Sequence, residues 1–393
     1  MSDPRPTLLM VAGEASGDLH GSKVLARLRE RAPDLSVYGI GGDRMRDRGL
    51  ETLYHADDLA VVGLVEVLRH VPRLKSALDG TVRAVRARGT RVAILIDYPG
   101  FNLVLARRLA ALGVRVLYYI SPQVWAWGEG RVRTIARVVD RLAVAFPFEV
   151  DFYRERGVDA EFVGHPLLEE PWVAEVKGPK TTLGDPPVLG LLPGSRRQEI
   201  ARHLEPMVGA AEILRRSIPG LRVRLGLAHG FGPGILDAFG TAGSGLIEPV
   251  ASENVPDVLT TSTALLVASG TATLEAACAG TPMVVLYRVA PLTYLVGKLA
   301  LRVPDIGLVN LVAGTRVVPE VVQGEVTPSR LAREVMPYLT DLDRVRDVSR
   351  RLLAVRAKLG EPGASDRVAT AALSMLSEAG PGSSRGVPVD GPR

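Results

Sequence analysis

A chain of 393 residues, 47% hydrophobic and 23% charged, has apolar mass for two ordinary cores, which excludes a disordered polymer and a small disulfide-stapled domain. Its 48 basic and 43 acidic side chains leave a net charge of +5, which suits acidic small molecules or an anionic membrane surface and is too dilute for a nucleic-acid-binding stripe. The single cysteine, Cys278, excludes an internal disulfide and a cysteine-built zinc site and fits a reducing compartment, the cytoplasm.

No run approaches 18 apolar residues, so no bilayer span is expected. The apolar run at 7–12 reads as a first strand, and the residues before it lack the order of a signal peptide. Short Val, Leu and Ile runs follow at 36–40, 92–96, 114–119, 141–145 and 161–163, with helical patterns between them such as 101–112. A second set lies at 188–192, 221–227, 264–268 and 283–287, with a long helix expected over 199–217. Apolar runs without strict alternation are what parallel strands covered on both faces look like. The alternation of strand and helix then predicts an α/β fold of two Rossmann-like doubly wound domains facing a central cleft at the carboxyl ends of both sheets. Composition shifts over 169–187, which predicts a first domain at 1–170, a linker at 171–187 and a second domain at 188–340. Helices over 341–379 are expected to pack back on the first domain or to swap between chains of a homodimer. The Gly-, Pro- and Ser-rich 380–393 reads as a disordered tail.

Candidate site residues sit where these strands end. Gly13-Glu14-Ala15-Ser16-Gly17-Asp18 follows the first strand, and two carboxylates bracketing Ser16 suit recognition of sugar hydroxyls. A turn with an N-cap fits the same residues. Asp97 closes the run at 92–96, and Pro99 and Gly100 force a sharp turn before Asn102, so the carboxylate is a candidate general base. It fits the capping of nearby N–H groups equally well. Trp125 and Trp127 can stack on sugar, hold acyl chains or fill core, and His165 reads as structural more readily than as ligand-binding.

In the second half, the run at 188–192 breaks at Pro193-Gly194-Ser195-Arg196 and delivers a helix N-terminus, where free N–H groups and the helix dipole favour an anion. Arg196 is placed to clamp a diphosphate. Ser269-Gly270-Thr271-Ala272 opens another helix, on which Glu275 can take both hydroxyls of a ribose. Dinucleotide and P-loop fingerprints are missing: Gly39-Ile40-Gly41-Gly42 fails the spacing, and Gly297-Lys298 is followed by Leu299. The run at 59–78, with Arg69, Arg73 and Lys75 toward its end, reads either as a core helix or as an amphipathic helix lying in a membrane interface.

Nine motifs occur in order: GEASGDLHG (13–21), LAVVGLVEVL (59–68), DYPGFN (97–102), SPQVWAW (121–127), FPFE (146–149), FVGHPL (162–167), LLPGSRRQEI (191–200), SGTATLEAA (269–277) and IGLVNLVAG (306–314). Together they resemble the lipid-A-disaccharide synthases, bacterial inverting glycosyltransferases of the GT-B architecture. Where that family reads LPN, this chain has Leu308-Val309-Asn310 and keeps the asparagine. The resemblance implies transfer of a diacylglucosamine unit from UDP-2,3-diacylglucosamine to 2,3-diacylglucosamine 1-phosphate (lipid X), giving a β-1,6-linked disaccharide 1-phosphate and UDP. It implies Asp97 as base, no cofactor or metal, Asn310 and Gln323 near the donor, and Glu14 and Ser16 near the cleft centre. It also implies a peripheral protein on the cytoplasmic face of the inner membrane. On the same fold, a UDP-N-acetylglucosamine 2-epimerase or a peptidoglycan-type glucosaminyltransferase shares the nucleotide half but leaves the motifs at Asp97 and Trp125–Trp127 unexplained. A non-enzymatic UDP-sugar or lipid-binding protein is the remaining alternative.

Overall fold

The computed structural model describes residues 6–59, 64–125, 129–228, 230–232, 234, 247–290 and 305–379, with backbone alone at 64–70 and 129. The chain divides into two compact units, Met1–Pro166 with Glu361–Arg393, and Leu167–Gly360. The first runs β1 (Thr7–Ala12), α1 (Ala15–Arg31), β2 (Ser36–Gly41), α2 (Asp43–Asp47), β3 (Glu51–His55), α3 (Leu64–Arg88), β4 (Val92–Ile96), α4 (Pro99–Ala110), β5 (Arg115–Tyr119), α5 (Val132–Val138), β6 (Arg141–Val144), α6 (Pro147–Arg154) and β7 (Ala160–Phe162). Its seven strands are parallel in the order β3-β2-β1-β4-β5-β6-β7. All five residues of β4 are buried because helices cover both faces, which removes the need for alternation.

The second unit holds α7 (Pro171–Glu175), β8 (Val188–Leu192), α8 (Arg197–Ser217), β9 (Arg222–Gly226), β10 (Ile247–Val250), α9 (Val255–Thr261), β11 (Ala264–Ala268), α10 (Ala272–Cys278), β12 (Met283–Tyr287), α11 (Leu308–Ala313), β13 (Glu320–Val322), α12 (Pro328–Thr340) and α13 (Leu342–Lys358). Its six strands are also parallel, in the order β10-β9-β8-β11-β12-β13. A last helix, α14 (Ala364–Glu378), belongs to the first unit. It packs Val368, Ala372 and Met375 with Val24, Leu25 and Leu28 of α1 in one apolar cluster, while Arg31 pairs with Asp366 at 2.5 Å.

Three strands differ from the expectation, and all lie at sheet edges: β3, β10 and β13. They are only partly buried, so no apolar run announces them. The helices expected together at 341–379 divide, α13 clustering with the second unit and α14 with the first. The stretch expected as a linker is anchored to the second unit. Val173 of α7 is buried there, the Lys180 N–H donates to Ser349 Oγ at 2.9 Å, and Lys180 Nζ donates to the Thr260 carbonyl at 2.8 Å. The tail expected at 380–393 lies outside the described residues.

Candidate active site

In a doubly wound sheet, strand order reverses at one point, and loops leaving the carboxyl ends there diverge to leave a crevice. In the first unit that point lies between β1 and β4, where Ala12 is in register with Ile96. Gly13 and Asp97 therefore emerge side by side. Asp97 and Tyr98 both take left-handed backbone conformations, φ 45° and 47°, which non-glycine residues adopt only when their surroundings impose them.

Several bonds impose it. The buried Asn102 on α4 donates from Nδ2 to the carbonyls of Ile96 (3.1 Å) and Asp97 (2.8 Å), and the buried Tyr118 hydroxyl donates to the Asp97 carbonyl at 2.6 Å. The Asp97 N–H donates to the Tyr119 carbonyl at 2.9 Å, and the Tyr98 hydroxyl donates to the Leu59 carbonyl at 2.7 Å. The Tyr98 ring lies over Gly13, where a Cβ would come within 2.2 Å of it. Burial, reinforced by the negative charge of Glu14 and opposed by the Tyr98 N–H, raises the Asp97 carboxyl to about 6.

Glu14 is exposed at the N-cap position of α1, without a side-chain capping bond, and Ser16 is exposed within the first turn. Asp18, expected to recognise hydroxyls, has backbone N–H partners. It is buried and accepts from the N–H groups of Gly42 (2.7 Å), Arg44 (3.1 Å) and Met45 (3.1 Å), so it serves the start of α2.

A second buried carboxylate stands at the same edge of this sheet. Glu149 in the first turn of α6 accepts from Ser121 Oγ (2.5 Å) and Trp125 Nε1 (3.1 Å) on one oxygen and from the Phe146 N–H (3.1 Å) on the other. Burial outweighs these donors and raises its carboxyl to about 7. Phe148 meets Trp125 edge-on at 5.0 Å and stacks on Phe146 at 5.5 Å, and Phe146 in turn touches His165. Burial lowers His165 to about 4, so it is neutral. Glu149 closes the FPFE motif (146–149), but the sequence does not mark it as a site candidate, because two of its partners, Ser121 and Trp125, come from another strand end. Trp127 lies outside the described residues.

In the second unit the order reverses between β8 and β11, where Leu192 is in register with Val267. The Pro193–Arg196 turn and residues 269–272 are neighbours there. The N–H groups expected to be free for an anion are already engaged: Glu199 Oε2 accepts from Ser195 N (3.2 Å) and Arg196 N (3.3 Å), and Arg196 Nη1 donates to Glu199 Oε1 at 3.2 Å. The anion at the start of α8 is thus the helix's own third residue. Gly194 takes φ 117°, and a Cβ on it would sit 2.7 Å from that carboxylate. Arg196 keeps 64% of its side chain exposed.

Ser269 Oγ donates to the Ile306 carbonyl at 2.9 Å, and Thr273 Oγ1 donates to the Gly270 carbonyl at 2.8 Å. Thr271 is exposed at the N-cap of α10, and Ala272 is half-buried. Glu275 follows on α10, and burial together with the charge of Glu170 raises its carboxyl to about 7. Asn310, expected near the donor, braces the turn that follows α11. It is fully buried, with Nδ2 donating to the Val318 carbonyl and Glu320 Oε1, and Oδ1 accepting from Val317 and Val318 N–H. Gln323 follows β13 with φ 54°; its Oε1 accepts from Val289 N at 3.3 Å, while its buried Nε2 has no partner among the described residues. Among the described residues no three His, Cys, Asp or Glu side chains are grouped to hold a metal ion.

A family model described as lipid-A-disaccharide synthetase matches residues 8–374. The chain is 46% identical to a lipid-A-disaccharide synthase of Myxococcus xanthus over 96% of this chain and 99% of that protein. It is 47% identical to one of Geobacter metallireducens, over 95% and 98% respectively. Among solved structures it is similar to a UDP-GlcNAc 2-epimerase from Neisseria meningitidis bound to UDP-GlcNAc, with a TM-score of 0.65 at 12% identity over 94% of this chain and all of that one. MurG of Acinetobacter baumannii gives a TM-score of 0.56 at 14% identity, again over 94% and 100%. At such identities these structures speak for the fold alone, two Rossmann-like units of the GT-B class.

Proposed function

The chain belongs to the lipid-A-disaccharide synthetase family, and from that premise we propose how its residues carry out the reaction. It is a glycosyltransferase of lipid A biosynthesis. The proposed donor is UDP-2,3-diacylglucosamine and the proposed acceptor is 2,3-diacylglucosamine 1-phosphate. The acceptor 6-hydroxyl passes its proton to the Asp97 carboxylate as its oxygen attacks the anomeric carbon. The bond from that carbon to the diphosphate breaks, and UDP leaves with the electron pair. One displacement inverts the anomeric centre and gives the β-1,6 linkage. The observation that carries this reading is Asp97 itself, a carboxyl raised to about 6 on a strained turn where the strand order reverses. A base poised near working pH is most effective in proton transfer.

The second unit supplies the donor site. Arg196 meets the diphosphate, whose two negative charges outbid the single charge of Glu199, and the turn at 194–195 with residues 269–272 lies against the phosphates. Glu275, raised to about 7, holds a proton part of the time near neutral pH and so both donates to and accepts from ribose hydroxyls. Gln323 offers its unpartnered Nε2 to the donor sugar. Glu14 and Ser16 serve acceptor hydroxyls, and Asn102 holds the turn that carries the base.

Both substrates carry acyl chains, which favours a peripheral place on the cytoplasmic face of the inner membrane. Among the described residues no helix is long and apolar enough to cross a membrane. The test is transfer from the UDP-linked donor to the lipid acceptor. Asp97→Asn should lose on the order of 10²–10⁴ in kcat, the usual contribution of a general base, while UDP still binds. Arg196→Ala should weaken UDP binding itself. Intact turnover in Asp97→Asn removes Asp97 as the base, and a wild type without transfer removes the substrate assignment.

A further inference from the structure

His203, in the second turn of α8, is fully buried and holds two loops by their backbones. Its Nδ1 lies 2.8 Å from the Pro193 carbonyl, and its Nε2 accepts from the Arg288 N–H at 3.0 Å. A carbonyl only accepts and a peptide N–H only donates, so both bonds exist together in one state: the neutral ring with its proton on Nδ1. Burial lowers the affinity of this histidine for a second proton, although the Pro193 carbonyl and Glu199 act the other way.

Pro193 follows β8 and Arg288 follows β12, and these strands flank β11 in the sheet. The imidazole therefore ties strand ends on both sides of β11 and its 269–272 turn. The tie continues: the next N–H, that of Val289, donates to Gln323 Oε1. That bond fixes which end of the Gln323 amide is oxygen and leaves Nε2 as the free donor. A continuous path runs from the Pro193–Arg196 turn, through His203 and residues 288–289, to Gln323.

We propose that His203 is a positioning residue for the donor nucleotide, fixing the Pro193–Arg196 turn against the strand end that orients Gln323. This rests on the reading of the second unit as the UDP site. His203 touches no substrate; it acts through the backbone of the turn that presents Arg196. A histidine that merely filled the core would affect folding and leave the two substrates equally served.

The experiment compares His203→Asn, His203→Gln and His203→Phe in the full chain, with UDP as calorimetric probe and separate KM values for donor and acceptor. Phe removes both bonds and should raise the UDP Kd and the donor KM about tenfold, the scale of one or two buried hydrogen bonds, with the acceptor KM within about twofold. Asn retains a donor at the Nδ1 position and Gln an acceptor near Nε2, so Asn should bind UDP more tightly than Gln. That order is readable even if the Phe variant does not fold. Wild-type UDP affinity in all three variants, equal affinity of Asn and Gln, or donor and acceptor KM rising together each overturns the proposal. Arg196→Ala is measured alongside: if it keeps wild-type UDP affinity, the donor-site reading falls and this proposal with it. If it loses affinity while the His203 variants keep theirs, only this proposal falls.

Discussion

Asp97 joins an unfavourable backbone conformation to an unfavourable charge. Its carboxyl is raised from 3.8 to about 6, so the folded state holds that proton more tightly than the unfolded chain does. The stability this gives is full below the unfolded value and is lost as pH rises through about 6. The proposed mechanism needs the opposite form, because in it only the carboxylate accepts the acceptor's proton. Turnover should therefore rise with pH through about 6 and then level, measured as kcat against pH. Asp97→Asn, which cannot ionise, should be more stable to unfolding than wild type at pH 8 by up to about 3 kcal/mol, from 1.36 kcal/mol per pKa unit, and so melt higher there, with little difference at pH 4. Equal melting at both pH values would show that the carboxylate is not held against its charge. The DYPGFN motif made the position of this residue legible in the sequence. The partners of Asp18, Asn310 and Glu199 were not legible, because those bonds are set by side-chain geometry that no spacing records. His203 gave no signal at all, as both its partners are backbone atoms of loops 10 and 85 residues away.

At the scale of elements, the central strands were readable because burial on two faces writes a continuous apolar run, as in β4 and β11. Three of the four edge strands, β3, β10 and β13, were not, since one side of each meets solvent and its residues are mixed, as in Glu51–His55. The site depends on the readable ones. β1 and β4 emerge together with Gly13 against the Tyr98 ring, and the missing side chain is what lets the two strand ends close up. Gly13→Ala should push the ring aside and free the turn at Asp97–Tyr98. The expected result is a loss of roughly tenfold or more in kcat, as a misplacement near 1 Å can cost far more than that, with UDP affinity kept because the proposed donor residues lie in the other unit. Wild-type kcat in a folded Gly13→Ala protein would show that the packing of Tyr98 does not hold the base in place.

For the whole molecule, the fold alone does not choose the reaction, since epimerases and glycosyltransferases share it at 12–16% identity. The proposed substrates carry acyl chains, and among the described residues no helix is long and apolar enough to cross a membrane, so the proposal calls for a surface that meets the lipid. The apolar run at 59–78 is the candidate. Residues 60–63 lie outside the description, but farther along α3 Val71 is 47% exposed, with Arg73 and Lys75 exposed beside it. Val71 and Lys75 are one helical turn apart and so share a face, an apolar contact next to a charge that favours anionic head groups. Binding to phosphatidylglycerol vesicles should weaken severalfold in Val71→Glu, because an apolar contact is replaced by a like charge at the membrane surface. It should also weaken as salt shortens the reach of the basic residues. A Val62→Glu, Val67→Glu double variant extends the test along the same run. Vesicle binding equal to wild type in both folded variants would mean that this helix is not the contact and that the lipid is met elsewhere on the chain.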